Sequence, residues 1–260
     1  MAGTDHQKTT PAAEGPVFIL VAPQMGENIG AAARAMWNFG LDRLRLVAPR
    51  DGWPNPKAEA TASGAAPVLA GVEVMDSTAA ACADLGVVFA TTARDRALTK
   101  LVMTPERAMA EARALIARGT RVGLLFGPER AGLENADVIR ANAVISVPVN
   151  PAFASLNLGQ AVLLLAYEWM RAGMSGAAAA PAGDWHLAGS RHATGIERDR
   201  LIDHLVARLD TVGFFFPPHK RPSMIANLDN LIRRAPLTTA DIRVIHGIVR
   251  ALAVKVPGRK

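Results

Sequence analysis

The chain has 260 residues, half of them hydrophobic, and a single cysteine, Cys82. That length can bury a full core in one large domain or a medium one plus a small one; one cysteine excludes an intrachain disulfide and a multi-cysteine metal site. The net charge of +6 is unevenly placed, because residues 1–195 hold 17 Lys+Arg against 17 Asp+Glu while residues 196–260 hold 12 against 6. A basic appendage on a neutral domain points to an anionic partner, nucleic acid being the usual one, with a solvated helical surface as the plain alternative.

Residues 1–15 have no apolar stretch of their own and read as a flexible tail rather than a signal peptide. No apolar run approaches the roughly 18 residues of a membrane helix, so the expectation is a cytoplasmic protein with no membrane partner. From residue 17 onward, short apolar runs at 17–22, 44–48, 72–75, 86–91, 121–126 and 144–149 read as strands buried on both faces. Helical patterns alternate with them at 29–39, 59–69, 105–118 and 134–141, which predicts an α/β fold with a mostly parallel, helix-covered sheet. Thr104-Pro105-Glu106 marks one helix start. Asn28 is placed to cap the helix that follows it, and Gly40 to end it. Cys82 lies in an alanine-rich apolar stretch and reads as a core residue.

At about residue 173 the pattern changes. Residues 173–195 are rich in Ala, Gly and Ser, show no period and read as a linker. Three helical patterns follow, at 197–212, 223–234 and 239–254, with Thr238 and Asp241 at the start of the last. The expected organisation is therefore a tail (1–15), an α/β domain (16–172), a linker (173–195) and a small basic helical extension (196–260).

Several familiar chemistries are missing. There is no G-x-G-x-x-G, Walker A loop, G-x-S-x-G or H-E-x-x-H, and the six histidines are scattered, so no metal site is expected. What remains is two loops at apparent strand ends. In the first, Gly127, Pro128 and Gly132 surround Glu129 and Arg130, with an ion pair between these two shaping the loop or a plain strand–helix turn as the alternatives. In the second, Pro148 and Pro151 stiffen the chain before Ser155-Leu156-Asn157 opens a long helix. Ser155 can be a cap, and Asn157 can bond loop backbone. Arg34 is flanked by Ala31, Ala32, Ala33 and Ala35; its planar fork of donors suits phosphate, although a helix arginine is more often simply solvated.

Taken in order, N-I-G-A-A-A-R-A (28–35), T-T-A-R-D-R (91–96), F-G-P-E-R-A-G-L (126–133) and S-L-N-L-x-Q-A-V (155–162) resemble the SPOUT superfamily of RNA methyltransferases. More narrowly they resemble the branch that methylates the ribose 2′-oxygen at position 32 of tRNA. The resemblance covers about residues 16–172 and extends more loosely into the last helices through Gly213-Phe214-Phe215 and Met224-x-x-Asn227-Leu228.

The resemblance implies a deep trefoil knot over about residues 122–172, an exception to the usual rule against threading. It also implies S-adenosylmethionine as cofactor, tRNA as substrate and a homodimer. Residue by residue, Thr91, Thr92, Ala93, Gly127, Val147, Ala154, Ser155 and Leu156 would hold the cofactor. Arg34, with Ser155, Asn28 and Glu129, would form the catalytic set. Arg94 and Arg96 would touch RNA beside the cofactor loop, and Lys220, Arg221, Arg233 and Arg234 would dock it from the extension. Phe153 stands where the family often has tyrosine, which removes one hydroxyl. Readings that stay open are a ribosomal RNA or another tRNA position as target, a non-catalytic RNA-binding protein of the same fold, and an unrelated α/β enzyme, the last leaving the basic tail without a role.

Overall fold

The computed structural model describes residues 14–92, 100–174 and 190–253. Seven strands, β1 (Val17–Val21), β2 (Leu44–Val47), β3 (Glu73–Met75), β4 (Val87–Thr91), β5 (Leu101–Met103), β6 (Val122–Phe126) and β7 (Ala143–Ile145), form one sheet in the order β3-β2-β1-β6-β4-β7-β5. Every pairing is parallel. Between the strands lie α1 (Gly26–Trp37), α2 (Pro56–Ala62), α3 (Ala66–Ala70), α4 (Thr78–Cys82), α5 (Pro105–Ala117) and α6 (Asn135–Arg140). The long α7 (Leu158–Met174) follows β7, and the extension comprises α8 (Gly195–Thr211), α9 (Arg221–Arg234) and α10 (Thr239–Ala253).

Successive strand residues point to opposite faces, and the apolar runs supply both faces with core. On one face Phe18, Leu20, Leu124 and Phe126 meet residues of α1, α2, α3, α5 and α7; the Phe18 and Phe126 rings stack with centroids 5.6 Å apart. On the other, Ile19, Val88, Leu125 and Val144 meet Cys82 of α4 and Val138 of α6. The expected α/β class, parallel sheet and covering of both faces all hold. Burial pushes the Cys82 thiol up to about 12, so it is an inert core group.

The alanines of α1 explain its position. Ala32, Ala33 and Ala35 are buried, and a Cβ on Gly30 would stand 2.3 Å from the Ala58 carbonyl oxygen, so α1 lies hard against α2. A Cβ on Gly159 would stand 2.9 Å from that of Ala31, which brings α7 equally close.

Several boundaries differ from expectation. The helix expected over 59–69 is two, α2 and α3, because Ser63 (φ 42°) and Gly64 (φ +97°) turn left-handed between them. The last predicted strand pairs only as Ala143–Ile145; Pro148 has no N–H to offer a ladder, and residues 146–150 leave the sheet. Strand β5 and helix α4 had no sequence signal, being three and five residues long, too short to show a period. Asn28 does not cap α1: the helix begins two residues earlier, after Met25.

The extension has its own small core around Ala193, Leu201 and Ile242 and is fastened to the α/β body. The Gly195 and Ile196 amides donate to the carbonyls of Leu85 and Ala83, each at 3.0 Å. The Asn142 side chain takes the Val88 amide on Oδ1 (2.9 Å) and donates through Nδ2 to the Arg233 carbonyl (2.8 Å), joining β4 to α9. Arg140 of α6 pairs with Asp199 of α8 at 3.3 Å.

Candidate active site

At the carboxyl ends of β4, β6 and β7, beside the point where the strand order turns between β1 and β6, the loops enclose a cavity of about 320 Å³. Crevices of this kind are where open α/β sheets bind ligands, and the size is within the range of small-molecule sites. Thr91, Thr92, Gly127, Val147, Ala154, Ser155 and Leu156 all line it. These are the expected cofactor residues except Ala93, which lies outside the described residues, as do Arg94 and Arg96.

The loop after β6 doubles back on itself. A Cβ on Gly127 would stand 2.1 Å from the Leu133 amide nitrogen and 2.3 Å from the Gly132 carbonyl carbon, so only glycine closes this turn. Gly132 takes φ +66°, and its amide donates to the Pro128 carbonyl at 2.8 Å. The second wall is built by the chain that leaves β7. Val147 and Val149 turn inward, and a 3₁₀ turn over Pro151–Phe153, capped by Asn150 on the Ala152 amide (3.0 Å), sets Ala154–Leu156 at the rim. Below, Thr91 Oγ1 donates to the Leu125 carbonyl at 2.8 Å and ties β4 to β6.

Polar side chains cross-brace the loops. Glu129 accepts from the Gln24 amide at 3.0 Å and from Asn28 Nδ2 at 2.6 Å. Asn28 Oδ1 in turn accepts from Asn157 Nδ2 at 3.2 Å, and Asn157 Oδ1 accepts from the Gly159 amide at 2.9 Å. The β1–α1 loop, the β6 loop and the start of α7 thus form one network, in which Asn28 takes part through its side chain rather than as a helix cap. The ion pair weighed between Glu129 and Arg130 does not form among the described residues; Glu129 instead braces Gln24 and Asn28. Asn157, not Ser155, caps α7, which leaves the Ser155 side chain at the cavity.

Arg34 is placed differently. It is exposed on α1, outside the cavity lining, with no side-chain hydrogen bond or ion pair among the described residues. Ala31 faces Gly159 of α7, and Arg34 follows one turn later on the same side of α1. The neighbouring surface of α7 exposes Leu163, Leu164, Tyr167 and Met174, spaced so as to form one stripe.

In the extension, Lys220, Arg221 and Arg234 are exposed. Arg233 is a correction. Only 3% of its surface is exposed, and its guanidinium is held between Asp199 and Asp229, so it is a structural clasp rather than an RNA contact. Sequence reasoning missed Asn142 and Gln24. A lone asparagine before a strand carries no distinctive pattern, and Gln24 acts through its backbone. Among the described residues there is no cluster of three or more His, Cys, Asp or Glu side chains placed to hold a metal, and no helix long and apolar enough to cross a membrane.

Comparison with known proteins agrees with this geometry. The sequence profile of the SpoU rRNA Methylase family matches residues 15–167. The tRNA (cytidine/uridine/adenosine-2′-O-)-methyltransferase TrmJ of Pseudomonas aeruginosa is 32% identical over 235 residues, 89% of this chain and 91% of that protein. The tRNA (cytidine/uridine-2′-O-)-methyltransferase TrmJ of Klebsiella pneumoniae is 31% identical over 246 residues, 93% of this chain and 98% of that one. The crystal structure of TrmJ from Z. mobilis superposes with a TM-score of 0.80 at 47% identity, covering 92% of this chain and 99% of that one. The chain therefore belongs to the SpoU methylase family, and its fold is that of the SPOUT methyltransferases.

Proposed function

We propose that this chain transfers a methyl group from S-adenosylmethionine to a ribose 2′-hydroxyl of tRNA, at nucleotide 32 of the anticodon loop. The observation that carries this reading is the cavity at the strand ends, lined by all seven of the described residues expected for the cofactor. Its make-up suits the group. Apolar Ile145, Val147, Leu156 and Leu158 offer walls for a flat adenine, while the glycine loop and Thr91, Thr92 and Ser155 offer short polar groups that leave room for ribose and an amino acid moiety. The named activity of the TrmJ relatives supports the tRNA 2′-hydroxyl, and their match extends across the basic extension as well as the pocket. Cytoplasmic residence goes with a tRNA substrate.

S-adenosylmethionine, when bound, supplies an electrophilic methyl group on a sulfonium. The protein supplies alignment and electrostatics. Glu129, Asn28 and Asn157 hold the two cavity loops against α1, and Ser155 stands at the rim where an incoming hydroxyl would be oriented. Arg34 offers a planar, cationic fork of hydrogen-bond donors. Its role here is to orient the 2′-hydroxyl or the adjacent phosphate and to stabilise negative charge growing on that oxygen as its proton leaves.

Arg34 stands outside its own cavity, so the site is completed in a homodimer, where Arg34 of the partner subunit reaches the reacting centre. The exposed stripe Leu163–Leu164–Tyr167 beside Arg34 supports that interface, since apolar surface of this kind marks association. The deep trefoil knot over about residues 122–172 belongs to the same reading.

The experiment is a pair of measurements on Arg34→Ala. Calorimetry with S-adenosylmethionine should show wild-type affinity, and tRNA methylation should fall on the order of a hundredfold or more, the loss typical of one removed charge-stabilising donor. Near-normal methylation would refute the role of Arg34; no heat with the wild-type protein would refute the cofactor and favour a non-catalytic RNA-binding protein. The family description keeps ribosomal RNA as a second reading, and offering tRNA and ribosomal RNA pools separately distinguishes the two.

A further inference from the structure

The loop between α8 and α9 displays two phenyl rings to solvent at the most uniformly basic part of the extension. It reads Gly213-Phe-Phe-Phe-Pro-Pro-His-Lys-Arg221. Phe215 is buried, but Phe214 is 51% and Phe216 is 77% exposed. Leaving large apolar rings outside forgoes the favourable burial of their surface, and two such rings two residues apart call for a partner.

The display is rigid. Gly213 turns the chain at φ +71°, and the Phe214 amide donates to the Leu209 carbonyl at 3.0 Å. Phe215 anchors the loop, with the Phe214 ring edge-to-face against it at 5.3 Å and the Arg221 guanidinium 5.5 Å from its ring centre. Arg221 then closes the loop through a two-pronged pair with Asp210, at 3.1 and 2.6 Å. Lys220, four residues after Phe216, remains exposed, with no ion pair among the described residues. No acidic residue occurs between Asp210 and Asp229, while His219, Lys220 and Arg221 all fall in that interval.

Exposed rings followed in sequence by His219 and Lys220, with Asp210 already paired to Arg221, match a polyanion carrying flat bases. We propose that Phe214 and Phe216 are a stacking platform for unpaired nucleobases of the RNA substrate, with Lys220 taking an adjacent phosphate. Aromatic rings on a positive surface are how single-stranded nucleic acid is held without reading its sequence. The inference rests on the tRNA reading and adds to it a base-contacting element far along the chain from the cofactor cavity. The other occupant such rings would suit, an apolar face of a second copy, is decided by the same experiment.

The test uses the full chain, an unmodified tRNA transcript and a fully paired hairpin RNA of similar size. Phe216→Leu should bind the tRNA roughly five- to hundredfold more weakly, the range for one lost base stack, and Phe216→Trp should restore wild-type affinity. Affinity for the paired hairpin, affinity for S-adenosylmethionine and the mass by light scattering should be unchanged in both variants. A Phe216→Leu protein that binds tRNA like the wild type overturns the platform, as does an equal loss on the paired hairpin. A change in mass that accompanies the loss assigns the rings to a subunit contact and overturns it too. A wild-type protein that binds no tRNA would instead overturn the tRNA reading itself, which keeps the two failures apart.

Discussion

The cavity end of the sheet and the C-terminal extension use polar residues in opposite ways. Around the cavity, charge is sparse and the bracing is done by one carboxylate and two side-chain amides: Glu129, Asn28 and Asn157 tie the β1–α1 loop, the β6 loop and the start of α7 together, and glycine lets backbone meet backbone. In the extension, charge is abundant, and it divides. Arg233 is committed to Asp199 and Asp229 at the seam, where Arg140 of α6 also meets Asp199, while Lys220 and Arg234 face solvent. Excess positive charge therefore does not by itself mark a nucleic-acid surface; burial and pairing decide which arginines are available.

The sharpest test of the contrast is to disturb each region at its tightest point. Gly127→Ala adds a Cβ 2.1 Å from the Leu133 nitrogen, so the β6 loop has to open. S-adenosylmethionine binding should weaken by more than about a hundredfold, given how steeply packed backbone resists overlap, while tRNA affinity should be largely kept. Arg233→Ala leaves Asp199 and Asp229 without their shared cation. Removing one partner of a buried pair costs about 3–5 kcal/mol, so denaturant unfolding should show a loss of that order. Arg234→Ala, one residue on and exposed, should stay within about 0.5 kcal/mol of wild type. If both arginines behaved alike, the division drawn here would fail.

Smaller effects refine the same picture. Asn142→Ala removes hydrogen bonds to the Val88 amide and the Arg233 carbonyl, and an unmade buried bond costs about 1–3 kcal/mol; equal stability would mean that the extension is not anchored through β4. His192, at the seam, is pulled down to about 4 from its ordinary 6.5, first by burial and then by the positive charges of Arg198 and Arg118. The unfolded chain therefore binds a proton there between pH 6.5 and 4 that the folded chain refuses, so stability falls as pH drops through that window. His192→Gln should flatten the fall in a pH series of unfolding curves. Lys220→Ala should leave stability unchanged and lower the salt slope of tRNA binding by about one.

Much of the α/β body was legible because its signals are local. Apolar runs between glycine and proline mark the strands, and the loops Gly127–Gly132 and Pro148–Leu156 announced a cavity before any contact was known. The order of the four motifs led to residues that line the cavity, because short loops at strand ends cannot stray far from where the sheet puts them. Arg34 escaped that logic. Its motif named it, but a helix exposes a residue according to what packs beside it, and only the approach of α7 shows that it faces outward. Arg233 escaped for a similar reason: adjacent arginines look identical in a sequence, and their fates were separated by Asp199 some thirty residues away. Asn142 was invisible because its two partners come from β4 and α9, which nothing in the local pattern connects.

Methyl transfer to a tRNA ribose at the cavity is the central assignment. Purified chain, unmodified tRNA and S-adenosylmethionine carrying a labelled methyl group, followed by nuclease digestion and mass spectrometry, test it directly. The expected result is one labelled 2′-O-methylnucleoside per tRNA, mapping to nucleotide 32 and disappearing with Arg34→Ala. Label on a base, or no label on tRNA at all, would contradict it.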